Sequence, residues 1–386
     1  MRIVQVGLYP IDSDQVKGGV EASVYGLSVE LAKMNEIFVI DIPRTEVQKD
    51  FIEDNSSLKI FRFYSKKKKN IATLLRMKDV ISAVRNVKPD ICHIHGTSLF
   101  SLVVYLFTKL SHIPSIVTVH GLAHIEKRNI FNTQPSYRNL IKYIQQSLTE
   151  FFFLSLCKKI IVDTQYVANA IALYKAERRI FRMPHCFVIP QGVNSQFYQL
   201  ENLNRSMKML SVGAFTKRKG HLELLESMLK VKLAYPDFSL IIAGSLSDKI
   251  YLNSMREFIM EKDLTSNIRI YPNASLQDIL SFYSQSSIFL LHTEEESQGI
   301  VFCEAMAARL SIVSTNAGGV SWVVKDNVNG LLCDFGDTDS FANNIVRLLK
   351  EESLQTKLVL NNKIESQKYN WKFVSENVMD LYKTMI

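Results

Sequence analysis

The chain has 386 residues, of which 47% are hydrophobic and 22% charged, as in folded globular proteins. Gly (15) and Pro (9) are both scarce, which excludes collagen-like and linker-dominated chains. At roughly 100–200 residues per domain, the length predicts two domains or three.

The formal charge of +8 is unevenly distributed along the chain. Residues 1–190 contain 26 Lys and Arg against 16 Asp and Glu, a net charge of +10, whereas residues 191–386 contain 20 against 22, a net charge of −2. A basic half joined to a near-neutral half indicates that the first half faces an anionic partner.

The sequence predicts a cytoplasmic protein. Its five cysteines are widely spread and lack CxxC spacing, which is typical of reduced thiols in a reducing compartment. The apolar stretch at the N-terminus is too short for a signal peptide, and polar residues follow it too early. No apolar stretch approaches the roughly 20 residues that are needed to cross a bilayer.

Short apolar runs alternate with helical patterns along the whole chain. Strands are predicted over 2–8, 37–42, 60–64, 90–94 and 115–119, with helices over 20–33, 74–86 and 99–110. After a polar, turn-rich segment, strands are predicted over 209–212, 239–243, 268–271, 288–291 and 312–314, with helices over 221–233, 252–261, 277–284 and 300–308. This alternation predicts two α/β domains, each with a parallel sheet that binds ligands at the carboxyl ends of its strands.

Two loops have the composition of an anion site. Gly18 and Gly19 follow the first strand and precede a helix, where glycines let backbone N–H groups approach a phosphate. A simple flexible loop is the alternative. The sequence TKRKG at 216–220 follows the strand at 209–212, and three cations at a strand end suit a diphosphate. The alternative there is a solvated basic turn.

An acidic motif follows the predicted strand at 288–291. The sequence EEESQG occupies 294–299, and Glu304 lies eight residues after Glu296, about a turn into the next helix. Two carboxylates so placed can each bind sugar hydroxyls, one on a transferred sugar and one on a ribose. Gly299 frees adjacent N–H groups for phosphate or sugar oxygens. Most acidic runs are merely solvated, which is the alternative.

Histidines and paired aspartates raise the question of a metal. His120 ends an interior strand, where side chains face the ligand crevice, although a structural histidine is the alternative. His93 and His95 alternate on one strand, but no carboxylate or cysteine completes a ligand set. Neither DxD triplet, at 12–14 or at 337–339, follows a central strand of a nucleotide-binding half, so we interpret both as turns. The sequence therefore predicts no metal site.

The order of these motifs resembles the retaining glycosyltransferases of family 4 (glycosyl transferases group 1) over essentially the whole chain, most densely over 186–335. The resemblance implies the GT-B fold, in which two doubly wound, Rossmann-like α/β domains face a central cleft. The motifs that carry it are Gly18-Gly19, DICHIH at 90–95, Thr118-Val119-His120, IPQGVN at 189–194 with Phe197, Val212-Gly213 with Lys219-Gly220, the E-x7-E pair Glu296 and Glu304, and GGV at 318–320 with Asn329-Gly330.

The resemblance also implies domain boundaries. An acceptor-binding domain would occupy 1–190, a linker 191–206 and a nucleotide-sugar-binding domain 207–370. A C-terminal helix at 371–386 would pack back on the first domain.

The implied reaction moves a sugar from a nucleotide diphosphate sugar to an acceptor hydroxyl, with retention of the anomeric configuration and with neither metal nor other cofactor. Lys219, assisted by Arg218 and the backbone of Gly19, would stabilise the diphosphate. Glu296 would hold the transferred sugar, Glu304 the ribose, and His120 would line the sugar side of the cleft. The implied catalytic residues are Glu296, His120 and Lys219. The implied donor-binding residues are Gly18, Gly19, Arg218, Lys219, Gly244, Asn273, Glu296, Gly299, Ile300, Val301 and Glu304.

Three residues depart from the family pattern. Ala214 replaces an arginine that usually contacts the diphosphate, and Lys217 or Arg218 would have to supply that charge. Trp322 replaces a glutamate after the second di-glycine, and Asn273 stands where a glycine is frequent.

The expected partners are a nucleotide sugar and a saccharide or lipid-linked acceptor of cell-surface polysaccharide synthesis (lipopolysaccharide or capsule) or glycolipid synthesis. Nucleic acid is not expected, since no recognition fold is present. Ala214 and Trp322 favour one alternative, a catalytically silent sugar-binding homologue or a scaffold of a glycosyltransferase complex. A nucleotide-sugar epimerase of the same fold is another.

Basic segments with apolar neighbours predict that the first domain docks on an anionic membrane surface, peripheral to the inner face of the plasma membrane. The alternative is that the apolar residues at 151–154 are core and that the lysines are solvated. The segments are Arg62 and Lys66–Lys69 beside Phe61, Phe63, Tyr64, Ile71, Leu74 and Leu75; residues 137–159 with the apolar run at 151–154; and residues 175–182.

Overall fold

A computed structural model of the protein describes residues 1–12, 18–44, 47, 49–65, 76–178, 184–200 and 207–386. The chain divides into two units. The first comprises Met1–Ile11, Gly18–Pro190 and Val374–Ile386, and the second consists chiefly of Gln191–Phe373. The main division therefore falls between Pro190 and Gln191.

In the first unit, helices surround a sheet in the order β3-β4-β2-β1-β5-β6-β7-β8. The strands are β1 (Arg2–Gly7), β2 (Glu36–Asp41), β3 (Phe51–Asn55), β4 (Leu58–Arg62), β5 (Ile91–His95), β6 (Ser115–Val119), β7 (Lys159–Val162) and β8 (His185–Val188). The helices are α1 (Gly19–Leu31), α2 (Met77–Val87), α3 (Leu99–Leu110), α4 (Ala123–Thr133), α5 (Tyr137–Leu156) and α6 (Gln165–Arg178). Central strands such as β1 and β5 are buried almost throughout because helices cover both faces of a parallel sheet.

In the second unit, every described strand pair is parallel, in the order β11-β10-β9-β12-β13-β14. The strands are β9 (Lys208–Val212), β10 (Ser239–Gly244), β11 (Ile268–Pro272), β12 (Ile288–Leu291), β13 (Ser311–Thr315) and β14 (Leu331–Cys333). The helices are α7 (Ser195–Tyr198), α8 (His221–Ala234), α9 (Lys249–Glu261), α10 (Leu276–Gln285), α11 (Ile300–Ala307), α12 (Val320–Val323), α13 (Thr338–Lys350), α14 (Glu352–Glu365) and α15 (Trp371–Lys383), which continues into the first unit.

The predicted class, two α/β domains with parallel sheets, is confirmed. Strand β3 runs antiparallel to β4 and was not predicted. Its sequence, FIEDN, forms an exposed edge, so it lacks the buried apolar pattern that marks a strand. Within the described residues, no helix is long and apolar enough to span a membrane.

Part of the predicted membrane-docking surface is wrong. Arg62 is buried, and its guanidinium donates to Oδ2 of Asp41 at 2.9 Å and to Oε1 of Glu53 at 2.6 Å. Phe153 and Leu154 are core residues of the first unit. In these segments the apolar residues beside the cations indicate the core of the unit and not a membrane-docking surface. The predicted residues 66–69, 71, 74–75 and 179–182 lie outside the described part of the chain.

Candidate active site

Strand order brings the basic and acidic motifs to one edge of the second sheet. Strands β9 and β12 are parallel neighbours, so their carboxyl ends lie side by side. A 3₁₀ turn at Lys217–Lys219 follows β9, and the acidic loop follows β12. Lys219 and Glu296 therefore meet although they are 77 residues apart in sequence.

The predicted cations and carboxylate contact each other directly. The ammonium group of Lys219 donates to Oε1 of Glu296. The hydroxyl of Thr293 donates to the same oxygen at 3.2 Å, and the guanidinium of Arg218 lies 3.8 Å from it. Both Lys219 and Glu296 are buried. Burial lowers the pKa of Lys219, and the charge of Glu296 opposes that shift.

Backbone contacts hold the two loops together. The carbonyl of Arg218 accepts from the amide of Glu294 at 2.9 Å, and the hydroxyl oxygen of Thr293 lies 3.1 Å from it. Gly220 has a φ of 58°, and a Cβ there would lie 1.6 Å from the carbonyl oxygen of His292. Only glycine permits this close approach, which positions the adjacent Lys219.

The second di-glycine supports the acidic loop from another side. The amide of Gly319 donates to the carbonyl of Glu296 at 2.6 Å. A Cβ on Gly319 would lie 1.8 Å from the carbonyl oxygen of Ser297. The glycines of this motif thus pack against the loop that carries the predicted catalytic carboxylate.

Glu304 lies on α11 and forms a separate pair with Tyr283. The phenol of Tyr283 donates to Oε2 of Glu304 at 3.3 Å, and burial raises the pKa of Glu304 to about 7. The helix begins at Ile300, directly after Gly299, which has a φ of 71°. Ile300 and Val301 are half-buried in its first turn.

Gly244 and Asn273 lie together at the ends of β10 and β11. The amide of Asn273 donates to the carbonyl of Gly244 at 2.7 Å, and its side-chain oxygen accepts from the amide of Leu246 at 2.9 Å. Asn273 has a φ of 57°, a left-handed conformation that asparagine tolerates better than most residues. This explains why asparagine can occupy a position where glycine is frequent.

The two other departures from the family pattern, Ala214 and Trp322, lie in different parts of the second unit. The amide of Thr216 and Nε2 of His221 both lie within hydrogen-bond distance of the carbonyl of Ala214, at 2.8 and 3.3 Å. Arg218, predicted as a substitute for the missing arginine, donates to the carbonyl of Glu295 and remains 43% exposed. Trp322 is partly exposed, and the ammonium group of Lys325 lies 5.4 Å from the centre of its ring.

Gly18 and Gly19 occupy the first unit at the start of α1. Gly18 has a φ of 94° and precedes the helix, which begins at Gly19. Among the residues that the structure describes, none places an atom within 4 Å of a Cβ built on Gly18. The backbone conformation there favours glycine.

His120 belongs to a line of polar side chains at the strand ends of the first unit. Its Nδ1 lies 3.2 Å from Oδ2 of Asp163, and its Nε2 lies 3.4 Å from Nδ1 of His95. Nε2 of His95 lies 2.8 Å from the side-chain oxygen of Gln5, and burial keeps the pKa of His95 well below its usual value. Asp163 was not predicted, although it directly follows a short apolar run, as strand-end residues do.

His93 contacts Thr118 and Tyr382, at 2.6 Å each, and burial lowers its pKa to about 3. In the described ranges, no three His, Cys, Asp or Glu residues are grouped so as to hold a metal ion. Asp337 accepts from the amide of Ser340 at 2.9 Å and caps α13. Of the other triplet, Asp14 lies outside the described residues.

Two family models match the chain and together extend over residues 17–365. "Glycosyltransferase Family 4" matches residues 17–197, and "Glycosyl transferases group 1" matches residues 195–365. The alpha-monoglucosyldiacylglycerol synthase of Acholeplasma laidlawii is 22% identical over 99% of this chain and 98% of its own length.

Solved structures share the fold. Sucrose-phosphate synthase from Thermosynechococcus elongatus superposes with a TM-score of 0.80 at 19% identity, covering 99% of this chain and 98% of the other. Anabaena HepE in complex with UDP and glucose superposes with a TM-score of 0.71 at 16% identity, covering 99% of each chain. The family matches and the two parallel α/β units lead to one conclusion: this chain belongs to the family-4-like glycosyltransferases and has the GT-B fold.

Proposed function

We propose that the protein is a retaining glycosyltransferase that moves a sugar from a nucleotide diphosphate sugar to an acceptor hydroxyl without a metal ion. The contact between Lys219 and Glu296 carries this proposal. It joins a cation suited to a diphosphate with a carboxylate suited to sugar hydroxyls, at the strand ends where α/β sheets bind ligands. The complexes of HepE with UDP-glucose support a UDP-sugar as the first donor to test.

The cations would act on the leaving group. In the transfer, the bond between the anomeric carbon and a diphosphate oxygen breaks, and the acceptor oxygen bonds to that carbon on the same face. The acceptor proton passes to the leaving diphosphate, so no separate base is required. Lys219 and Arg218 would stabilise the negative charge that develops, because preorganised cations act strongly in a site from which water is excluded.

The carboxylates would bind hydroxyl groups. Glu296 is held in place by Lys219 and Thr293, so its oxygens are preorganised to accept hydrogen bonds from the transferred sugar. Glu304 lies one helical turn into α11, where it would accept from the ribose. His120 is assigned to the transferred sugar by the resemblance alone.

The acceptor is proposed to be lipid-linked, in cell-surface polysaccharide or glycolipid synthesis, and the first unit to bind it. Two observations support this: the name of the Acholeplasma laidlawii relative describes a glycolipid synthase, and residues 1–190 carry a net charge of +10. The proposed location is the cytoplasm, at the inner face of the plasma membrane.

The proposal is tested by incubating purified protein with UDP-glucose and a panel of lipid and saccharide acceptors. We expect UDP release that depends on the acceptor, and an NMR coupling constant of the product that reports the donor's anomeric configuration. An inverted product would overturn the retaining mechanism. Further nucleotide sugars, screened by thermal shift, would be assayed in the same way.

The competing function is a catalytically silent sugar-binding homologue or scaffold. Ala214 and Trp322 favour it, because Ala214 removes a usual diphosphate contact and Trp322 replaces a glutamate of the family pattern. Such a protein would show a thermal shift with nucleotide sugars but would release no nucleotide from any of them. The assay therefore separates the two functions.

A further inference from the structure

Helix α5 exposes a row of large apolar side chains to solvent. Tyr137, Ile141, Ile144, Leu148 and Phe152 are 80%, 46%, 46%, 48% and 54% exposed, respectively. They are spaced by four, three, four and four residues, which places them on one face of the helix. We call this row the α5 stripe. Scattered exposed apolar residues are ordinary, but a continuous helical row marks an interaction surface.

The opposite face of α5 is anchored in the first unit. Phe153 and Leu154 belong to its hydrophobic core. The buried carboxylate of Glu150 accepts from the hydroxyl of Thr97 at 2.7 Å and from the amide of Ala123 at 2.8 Å. Because these contacts fix the helix on its inner side, the stripe is a preformed outer face of a folded unit.

The charges that α5 itself exposes are cationic. Arg138 and Lys142 are exposed on α5, and Lys158 is exposed just beyond its C-terminus. The only acidic residue of α5 is Glu150, which is buried and paired with His124. On the neighbouring helix α4, Glu126 is exposed and lies 3.5 Å from the ammonium group of Lys127. An apolar stripe on a helix whose exposed charges are all cations complements a surface with anionic groups above an apolar layer.

We propose that α5 docks the protein on a bilayer that contains anionic lipid, with the α5 stripe in the acyl boundary and Arg138 and Lys142 at the phosphates. A second copy of the chain fits less well, since its own α5 would present no exposed acid to these cations. The inference deepens the proposed function, whose location at the inner face of the plasma membrane it assigns to one helix, and it can be tested separately because docking does not require that transfer occurs. It also replaces Arg62, Phe153 and Leu154 as predicted docking residues.

Vesicle co-sedimentation tests the proposal. The full chain should pellet with vesicles of phosphatidylcholine and phosphatidylglycerol, but not with phosphatidylcholine alone, and less in high salt. The variant Ile144→Gln/Leu148→Gln should lose roughly tenfold in partition coefficient, because two half-exposed apolar side chains no longer enter the bilayer. Its control is Leu173→Gln, which changes a more exposed leucine on α6 and should bind like wild type.

The charge contribution is tested separately. Arg138→Gln/Lys142→Gln should reduce binding roughly tenfold to thirtyfold. Lys78→Gln/Lys88→Gln removes two exposed cations of the same unit and should have little effect. All these changes are at exposed positions, so we expect every variant to fold. An unchanged thermal unfolding temperature would confirm this.

Three results would overturn the proposal: wild type that never pellets, stripe variants that pellet like wild type, or a dimer in size-exclusion chromatography that Ile144→Gln/Leu148→Gln dissociates without any change in vesicle binding. UDP release with a water-soluble acceptor is measured on the same preparations. Vesicle binding without turnover would support the docking of α5 and reject the proposed glycosyl transfer. Turnover without vesicle binding would support the transfer and reject the docking.

Discussion

The ammonium group of Lys219 donates to Oε1 of Glu296, which joins the loops after β9 and β12. Each residue neutralises the other while both are buried. A diphosphate that binds Lys219 would compete with this contact and free the carboxylate for sugar hydroxyls. In the proposed reaction, the same pair would therefore connect recognition of the diphosphate with recognition of the sugar.

Glu296→Ala and Lys219→Ala should each lower kcat/KM for transfer by about a hundredfold or more, the usual cost of removing a preorganised charged contact at the reacting centre. Steady-state UDP release with the best acceptor measures this. The matched control is Glu294→Ala, an exposed carboxylate in the same loop, which should remain active. Near-normal turnover in either variant would refute the site assignment.

Arg218→Ala should weaken donor binding by ~1.5–3 kcal/mol, the range for a hydrogen bond to a charged group. The guanidinium lies 3.8 Å from Oε1 of Glu296, and we propose that it replaces the arginine missing at Ala214. Isothermal titration with UDP gives the affinity, and the exposed neighbour Lys217→Ala serves as control. An unchanged Kd for Arg218→Ala would mean that this side chain does not contact the donor and only donates to the carbonyl of Glu295.

The sequence motifs indicate that Lys219 and Glu296 lie at the same edge of the sheet, but they do not predict several contacts of the first unit. Lys219 and Glu296 stand at strand ends in the sequence, so their common edge follows from parallel strand order. Asp163 was missed because its contact with His120 depends on the adjacency of β6 and β7, and no strand was predicted at 159–162. Arg62 was misplaced because its partner Asp41 comes from β2, and apolar neighbours in sequence do not reveal a buried ion pair.

Donor affinity should fall as the pH drops through about 7, because burial raises the pKa of Glu304 to about that value. Above it the carboxylate would accept from the ribose hydroxyls, and below it the protonated acid would lose acceptor capacity. Titration of UDP-glucose binding across this range checks the effect, since its diphosphate, unlike the terminal phosphate of UDP, does not titrate near this pH. Glu304→Gln is neutral at every pH, so its weaker affinity should be flat. A pH dependence that survives in Glu304→Gln would belong to another group.

Transfer should persist in excess EDTA, because Lys219 and Arg218 are proposed to supply the positive charge at the diphosphate. UDP release is followed before and after dialysis against the chelator, with manganese and magnesium added back in parallel. An enzyme that stops completely and recovers with either ion uses a metal, and the cationic mechanism would then have to be abandoned.

Asp163→Asn should lower kcat while leaving UDP binding unchanged. A carboxylate can only accept, so Nδ1 of His120 donates to it, and this bond fixes both the tautomer and the orientation of the ring. Asparagine keeps the size of the side chain but can present its amide instead, which turns the imidazole. A misplacement of about 1 Å costs roughly a hundredfold in rate if His120 acts at the transferred sugar. The control is Asp54→Asn, an exposed carboxylate on β3. Steady-state kinetics and UDP titration on the same preparations separate kcat from donor affinity. If Asp163→Asn unfolds at a lower temperature yet turns over normally, Asp163 supports the fold alone and His120 has no dependence on it.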